Sequence, residues 1–489
     1  MKTKLILFIF FAGFISYNCF SQDKAGASER SYLSDKFQKK DKQDSNEEDV
    51  RVNQYGVKVS HYPLKAESQN DILVIENKEK GFKFWLDNRV QMDGAAYFVP
   101  KGFTKMAGGV SMRRVRMAVK SRIRNWYGEV DLNFSNGVFE LEDAYIGYYG
   151  IKGLELQAGN FKEDFSQEET TTSRYNTFIE RAMVVSCFAP GRHIGLLANY
   201  HPLSWLRASA GVSWQLVDNA ETRLNVEEYN KIGKEMGANY TGKLVFMPWA
   251  KKEDLGMHIG YNVSYRSPKK VDDNVNGSEA DPRGYGGNYF SARNCTGVSR
   301  MKYITAEYYG VKYDMLHGFE LAGYWKGLRW NSEFIMDYSY IDANSPILNV
   351  NTKTKFFYGF YAQASYLLFG GIQRYDTDQS EFTQPKRGKK WGDIELMFRY
   401  DYLTLNSQDI HGGSGENYTA GLVFHINNNV KFVANYQFSH NDVYANAKGK
   451  AVVGFKSDGT PTNNPMQVSA DYPVGHRFHG LQLRMEIDF

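Results

Sequence analysis

Beyond its first fifteen residues this 489-residue chain has no run approaching the roughly 18 consecutive apolar residues of a membrane-spanning helix. Proline is scarce at 12 residues, so little interrupts extended strand. Cysteine is scarcer still. Cys19 falls in a leader-like N-terminus, and Cys187 and Cys295 allow one disulfide but define no framework. No sign of charge dominates. Fifty-nine Lys and Arg stand against 55 Asp and Glu, a net +4 that falls to about +2 without Lys2 and Lys4. That balance gives no basis for binding nucleic acid or for a polybasic membrane anchor. Histidines at zinc-ligand spacing are lacking: His193 and His201 stand eight apart, and His411, His425, His440, His476 and His479 are scattered. Gly412, Gly413, Ser414 and Gly415 precede no helix, so they read as flexible outer loop rather than a phosphate cradle. No catalytic residue, metal or cofactor is expected.

What the chain has is alternation. Leu481, Leu483, Met485, Ile487 and Phe489 fall on one face of a terminal strand, and Gln482, Arg484, Glu486 and Asp488 on the other. Such a strand suits a membrane barrel, with one face in lipid and the other in a watery lumen. A negative mean hydropathy does not argue against this, because only alternate strand residues of a barrel face lipid. Aromatics make up 15% of the chain, with 34 Tyr and 32 Phe. Tyr suits the headgroup boundary, where the ring is buried and the hydroxyl stays wet.

Three regions differ in kind. Residues 1–21 read as an export signal: Lys2 and Lys4, an apolar stretch from Leu5 to Ile15, then small residues ahead of a cut before Gln22. Residues 22–80 read as a flexible periplasmic segment, charged and low in complexity over 28–49, with one or two short strands within 52–75. Residues 81–489 read as the barrel. Strands are predicted at 82–98, 110–124, 126–136, 140–150, 154–163, 191–201, 206–217, 236–249, 254–266, 316–327, 328–342, 355–369, 391–405, 416–427, 430–443 and 478–489. The fold expected is therefore all-β, a transmembrane antiparallel up-and-down barrel of about 16 strands. Connectors alternate too: tight inner turns such as Arg124-Asn125 and Lys326-Gly327, and long outer loops at 99–109, 164–190, 218–235, 267–315, 343–354 and 444–477. One connection resists. Residues 370–390 are long yet fall on the periplasmic side, so either that turn is elaborate or the strand count is off by two.

The most charged strand carries Arg114, Arg116, Lys120, Arg122 and Arg124 at even positions and Val115, Met117, Val119 and Ile123 at odd ones. A basic residue facing lipid at mid-depth costs roughly 2–4 kcal/mol, so the basic stripe belongs in the lumen. There it would concentrate anions. Its neighbour tempers that reading: a two-residue turn at Arg124-Asn125 sets Lys120 opposite Glu129 and Ala118 opposite Asp131, and neutralises part of the stripe. The lumen-facing acids Asp93, Asp143, Glu155, Glu333, Asp337 and Glu395 dilute it further. The third outer loop, 164–190, is the expected constriction. Arg174, Glu180, Arg181 and Arg192 are its charged candidates, and pairing with Glu168 and Glu169 to hold the loop on the wall is the alternative role.

Several soft motifs follow one another in order. They are the arginine strand 110–119; Leu141-Glu142-Asp143-Ala144-Tyr145-Ile146; Gly159-Asn160-Phe161-Lys162-Glu163-Asp164-Phe165; Glu180-Arg181; and Pro190-Gly191-Arg192-His193-Ile194-Gly195. Later come Trp391-Gly392-Asp393-Ile394-Glu395-Leu396, Arg399-Tyr400, Leu403-Thr404-Leu405, Gly421-Leu422 and Asn435-Tyr436. Together they resemble the phosphate-selective porin O and P family across most of 81–489. The resemblance implies a sixteen-stranded pore in the outer membrane of a Gram-negative bacterium, often a homotrimer, with basic residues along the channel. Asp164, Ser121 and Ile394 stand where the family usually has proline, glycine and tryptophan, and an acid beside the constriction puts phosphate selectivity in doubt. The expectation is a passive pore, surrounded by outer-membrane lipid, for small hydrophilic solutes, preferring anions such as phosphate or polyphosphate. Its anion contacts would be Arg114, Arg116, Lys120, Arg122, Arg124, Arg174 and Arg181. The rival is a structural or adhesive barrel with a plugged lumen, whose outer loop 267–315 binds a partner.

Overall fold

The computed structural model describes residues 51–489 apart from 53–54, 56, 60–63, 70–71, 136, 138, 215–236, 268, 271–285, 344–350 and 352. The export-signal segment, the charged stretch 28–49, the connector 218–235 and the Asp281–Gly284 part of loop 267–315 lie outside the described residues. Sixteen antiparallel strands close into a barrel. The first eight are β1 (Phe82–Phe98), β2 (Gly109–Ile123), β3 (Trp126–Asn133), β4 (Glu140–Ile151), β5 (Leu154–Lys162), β6 (Arg192–Leu203), β7 (Leu206–Ser213) and β8 (Asn239–Phe246). The second eight are β9 (Leu255–Arg266), β10 (Val311–Trp325), β11 (Leu328–Ile341), β12 (Lys355–Leu367), β13 (Asp393–Ser407), β14 (Ile410–His425), β15 (Val430–Asn441) and β16 (Arg477–Asp488). Every strand read from the alternation is present.

Closure is made by β16 on β1, with Asp488 opposite Arg89 and His479 opposite Phe98. The main chain of the terminal Phe489 exchanges two hydrogen bonds with Asn88, at 2.9 and 3.2 Å. Below that point β1 takes another partner: the hairpin Lys65–Gln69 and Ile72–Asn77 pairs Val74 with Trp85 and Asn77 with Phe82. Strand structure joined to the barrel thus begins ahead of residue 81. Within the separate unit that ends at Pro63, Arg51–Val52 pairs with Lys58–Val59.

The barrel is inside-out relative to a soluble sheet protein. On β16, Gln482, Arg484 and Glu486 are at most 4% exposed, whereas Leu483, Met485 and Ile487 are 37–42% exposed. A soluble domain would bury the second set, so the outward face must meet hydrocarbon. Trp126, Trp205, Trp325 and Trp391 are exposed at the inner-turn end of the barrel, one aromatic belt at one membrane boundary. Arg124 and Lys326 take φ of 54° and 51°, the left-handed backbone that two-residue hairpins demand.

Inside, the lumen is unequally filled. Two short helices, α1 (Gln167–Thr170) and α2 (Met183–Phe188), belong to outer loop 164–190 and lie within the barrel. α2 packs on β11, β12 and β13 and on the strand Gly286–Ala292 from loop 267–315. Phe165, Val184, Phe188, Phe290, Tyr303, Leu316, Phe357 and Phe478 form an apolar core there. Part of that outer loop is therefore sheet: Gly286–Ala292 pairs with Ile304–Tyr309.

The awkward connection after β12 is an elaborate turn and adds no barrel strands. It folds into the lumen as a small hairpin, Tyr375–Asp376 against Glu381–Phe382. The Arg329 guanidinium lies 3.9 Å from the centre of the buried Phe382 ring, and the Tyr375 hydroxyl meets His258 Nδ1 at 2.5 Å. One expectation is corrected. Gly412, Gly413, Ser414 and Gly415 are strand, not loop, because β14 begins at Ile410. The glycines are needed for close approach: a Cβ on Gly412 would sit 2.7 Å from the Leu405 carbonyl, and one on Gly415 2.3 Å from Asn441 Oδ1.

Leu483→Arg, on the outward face midway along β16, should lower the unfolding free energy in phospholipid vesicles by roughly 2–4 kcal/mol. Guanidinium titration of the vesicle-folded protein measures it.

Candidate functional site

The inserted loop 164–190 brings irregular backbone to membrane depth, where its N–H and C=O groups need partners. Wall side chains provide them. Glu333 and Asp401 accept from the N–H groups of Glu168 and Met183 at 2.8 and 3.2 Å. Arg329 and Arg399 donate to the carbonyls of Tyr175 and Glu180 at 3.0 and 2.9 Å, and Lys431 donates to the carbonyl of Arg174. Ser166 caps α1, its Oγ accepting from Glu169 N–H at 3.2 Å. With β10–β14 backed by the apolar core, open space remains on the other side. It is a polar cavity of about 280 Å³ between β1–β7, the loop and the inward hairpin.

Seven cations reach that cavity: Arg89, Arg116, Lys120, Lys162, Arg174, Arg192 and Arg207. Each has a carboxylate partner. Arg116 pairs with Glu142 and, at 3.5 Å, with Asp131. Lys120 lies 2.8 Å from Asp87 and 3.3 Å from Glu129. Arg174 pairs with Asp87, and Arg89 with Asp488 at 3.1 Å. Arg192 bridges Glu142 and Asp143 at 2.7 and 2.6 Å, and Lys162 lies 3.8 Å from Glu169. Arg207 holds Asp164 at 2.7 Å, with Lys243 3.6 Å from the same carboxylate. Burial pushes the Asp164 carboxyl up, but these two cations outweigh it and hold the group below its usual value. The acid that departs from the family pattern is therefore tied into the wall.

The seven residues named from sequence are distributed unequally. Arg116, Lys120 and Arg174 line the cavity together. Arg114 is buried deeper in β2, donating to Gln91 Oε1 at 2.8 Å. Arg181 faces its own loop, donating to the carbonyls of Glu168 and Glu169 at 2.9 and 3.1 Å, with Glu169 Oε2 3.3 Å away. Arg122 and Arg124 are exposed at the turn end of β2, where Arg122 Nε donates to the Arg124 carbonyl at 3.3 Å.

Sequence reasoning missed others. Arg89 shares the inward parity of Asp93, which was a findable signal. Arg207 was opposite an apolar row on its own strand. Arg113 was hidden by a bulge: pairing jumps from Gln91–Arg114 to Met92–Met112, which leaves Arg113 as the extra residue. It also turns inward, its guanidinium forking onto Glu180 at 2.6 and 3.1 Å. Arg484, held by Asp93 through two 2.7 Å bonds, lies 3.6 Å from the same Glu180. Burial pushes the Glu180 carboxyl up, but Arg113 and Arg484 more than offset it and hold the group well below the usual carboxylate range. Cys187 and Cys295 are both free thiols, and Cys295 Sγ donates to the Arg181 carbonyl at 3.2 Å.

Comparison with known proteins gives three kinds of match. The sequence model of the family described as phosphate-selective porin O and P matches residues 84–464. Porin O of Pseudomonas aeruginosa is 24% identical over 413 residues, 77% of this chain and 87% of the relative. An uncharacterised protein of Caulobacter vibrioides is 26% identical over 363 residues, 72% of this chain and 68% of the relative. Among solved structures, the trimer form of OmpT from Vibrio cholerae gives a TM-score of 0.47 at 9% identity, covering 84% of this chain and all of that one. An anion-selective porin from Comamonas acidovorans gives 0.46 at 10% identity, covering 83% and 100%.

Because Glu180 is depressed in the folded state, its contribution is present above the ordinary glutamate value near 4.3 and is lost as pH falls below it. Glu180→Gln should therefore loosen the loop at neutral pH as acid loosens the native protein. Amide exchange across 176–186 should speed up roughly tenfold or more, a local opening free energy lower by about 1.4 kcal/mol.

Proposed function

The chain belongs to the phosphate-selective porin O and P family and is an outer-membrane porin; from that premise we propose that small hydrophilic anions, phosphate or short polyphosphate among them, are its favoured solutes. The observation that carries this is the convergence of seven cations on one cavity. Five of them are guanidinium groups, whose forked N–H donors match phosphate and carboxylate oxygens. Arg116, Lys120 and Arg174 are the contacts named from sequence that share this wall, joined by Arg89, Lys162, Arg192 and Arg207.

The paired carboxylates set the manner of selection. With Asp87, Glu129, Asp131, Asp143 and Asp164 interleaved among the cations, the cavity is no strongly positive trap. A solute oxyanion exchanges with wall carboxylates on the same guanidinium groups, is briefly stripped of water, and leaves down its gradient. Binding of that kind is weak enough for release, as conduction requires. No energy source is involved. A homotrimer, as the family resemblance implies, belongs to the same proposal. A detergent-corrected mass of three chains checks it.

The rival reading, a plugged structural barrel, draws on the apolar core that fills the β10–β14 side. Single-channel recording separates the two: discrete open steps are expected of the porin and none of a plug. In the same bilayers, Arg116→Ala with Lys120→Ala should lower the anion-to-cation permeability ratio on the order of tenfold. The change removes two cations and leaves Asp131, Glu142, Asp87 and Glu129 less compensated. An unchanged reversal potential would refute the anion role and leave the pore intact.

A further inference from the structure

The cavity wall holds six carboxylates, and five of them have a cation within 4.0 Å. Asp87 has Lys120 and Arg174, Glu129 has Lys120, Asp131 has Arg116, Asp143 has Arg192, and Asp164 has Arg207. The sixth, Glu381, pairs with no cation among the described residues. Its Oε2 instead accepts the backbone N–H of Thr172 at 3.2 Å.

Its origin is as unusual as its partner. Glu381 is carried into the lumen by the turn between β12 and β13, and meets there the loop that enters from the opposite rim. The hairpin that bears it is pinned on both sides, by Tyr375 on His258 and by Phe382 beneath Arg329, so the carboxylate is placed rather than free to swing away. The charged groups around it come from every neighbouring element. Lys162 faces it from β5, Arg207 from β7 and Arg329 from β11, Arg174 and Asp164 belong to the inserted loop, and Asp376 to its own hairpin. His201 on β6 meets Asp378 of that hairpin at 3.6 Å.

We propose that Glu381 is a specificity-determining residue of the passage: ionised, it offsets the wall cations and weakens the anion preference, and protonated, it releases that preference. The inference rests on the pore reading above. It assigns the adjustable charge of the site to the periplasmic turn and not to the arginine strand. Burial supports it, pushing the Glu381 carboxyl up to about 7 against the opposing pull of Lys162 and the Thr172 N–H. Acidification through neutrality therefore removes the Glu381 charge from the wall.

The test is reversal potential in planar bilayers under a potassium chloride gradient, from pH 8.5 to 5.5, for the native protein and for Glu381→Gln. Gln keeps an acceptor for the Thr172 N–H and a nearly identical shape, and heat-modifiable gel mobility confirms that the variant is folded. The native anion-to-cation ratio is expected to rise about threefold as pH falls, the effect of one charge seen across roughly 7 Å of aqueous lumen. Glu381→Gln should show the higher ratio at pH 8.5 and a smaller slope than the native protein. Glu381→Asp should keep the slope. A native profile that is flat, or a Gln variant with the native slope, overturns the inference while leaving the porin in place. Absence of any current from the native protein sinks the pore reading, and this inference with it.

Discussion

A polypeptide inside a membrane has no water to satisfy its backbone, and nearly everything distinctive here follows from that constraint. The sixteen strands satisfy one another by closing. The inserted loop cannot, because its path is irregular. Its N–H groups are met by wall carboxylates such as Glu333 and Asp401, and its carbonyls by wall cations such as Arg329, Arg399 and Lys431. Many inward-facing charges are thus structural before they are functional. Those on β11, β13 and β15 hold backbone, which leaves the wall of β1–β7 to face solute.

The same pairing logic shapes the passage. A charge in a narrow lumen is poorly hydrated, and an unpaired row of arginines would repel itself as well as attract solute. Interleaved carboxylates relieve the repulsion and keep each guanidinium in place, at the expense of a strong field. Asp164 illustrates the point: at the edge of the constriction it would oppose an anion, yet Arg207 and Lys243 hold it in the wall. Selectivity then rests on small imbalances of charge. That is why a single carboxylate without a cation, delivered by Glu381, carries weight out of proportion to its charge.

The filled half of the lumen bears on transport as well. Phe165, Val184 and Phe188 of the inserted loop pack against Phe290, Phe357 and Phe478, so the loop has a small hydrophobic core of its own within a polar-lined cylinder. Burial of that size resists displacement of the loop by solvent. The aperture is fixed in shape on that side. Any adjustment belongs to the side where the contacts are ionic.

What the sequence by itself determined is the wall. Strand periodicity distinguishes only two faces, and two solvents on those faces leave few errors to make, so all sixteen strands and the pairing of Lys120 with Glu129 were legible in the residues. The inward parity of Asp93, Glu333 and Glu395 was legible for the same reason. What only the tertiary structure decided is which inward residues face open space. Arg114 and Arg116 share a face of one strand, yet one lies against Gln91 and the other lines the cavity. Arg113 joins them only because a bulge breaks the alternation. Glycines 412, 413 and 415 look like loop until Leu405, Ala445 and Asn441 crowd against them. Glu381 lies in a connection that periodicity assigns to the periplasm, and it reaches the passage because Tyr375 and Phe382 find partners inside the barrel. The last two contacts join residues 117 and 53 apart, and local pattern carries no information at that range.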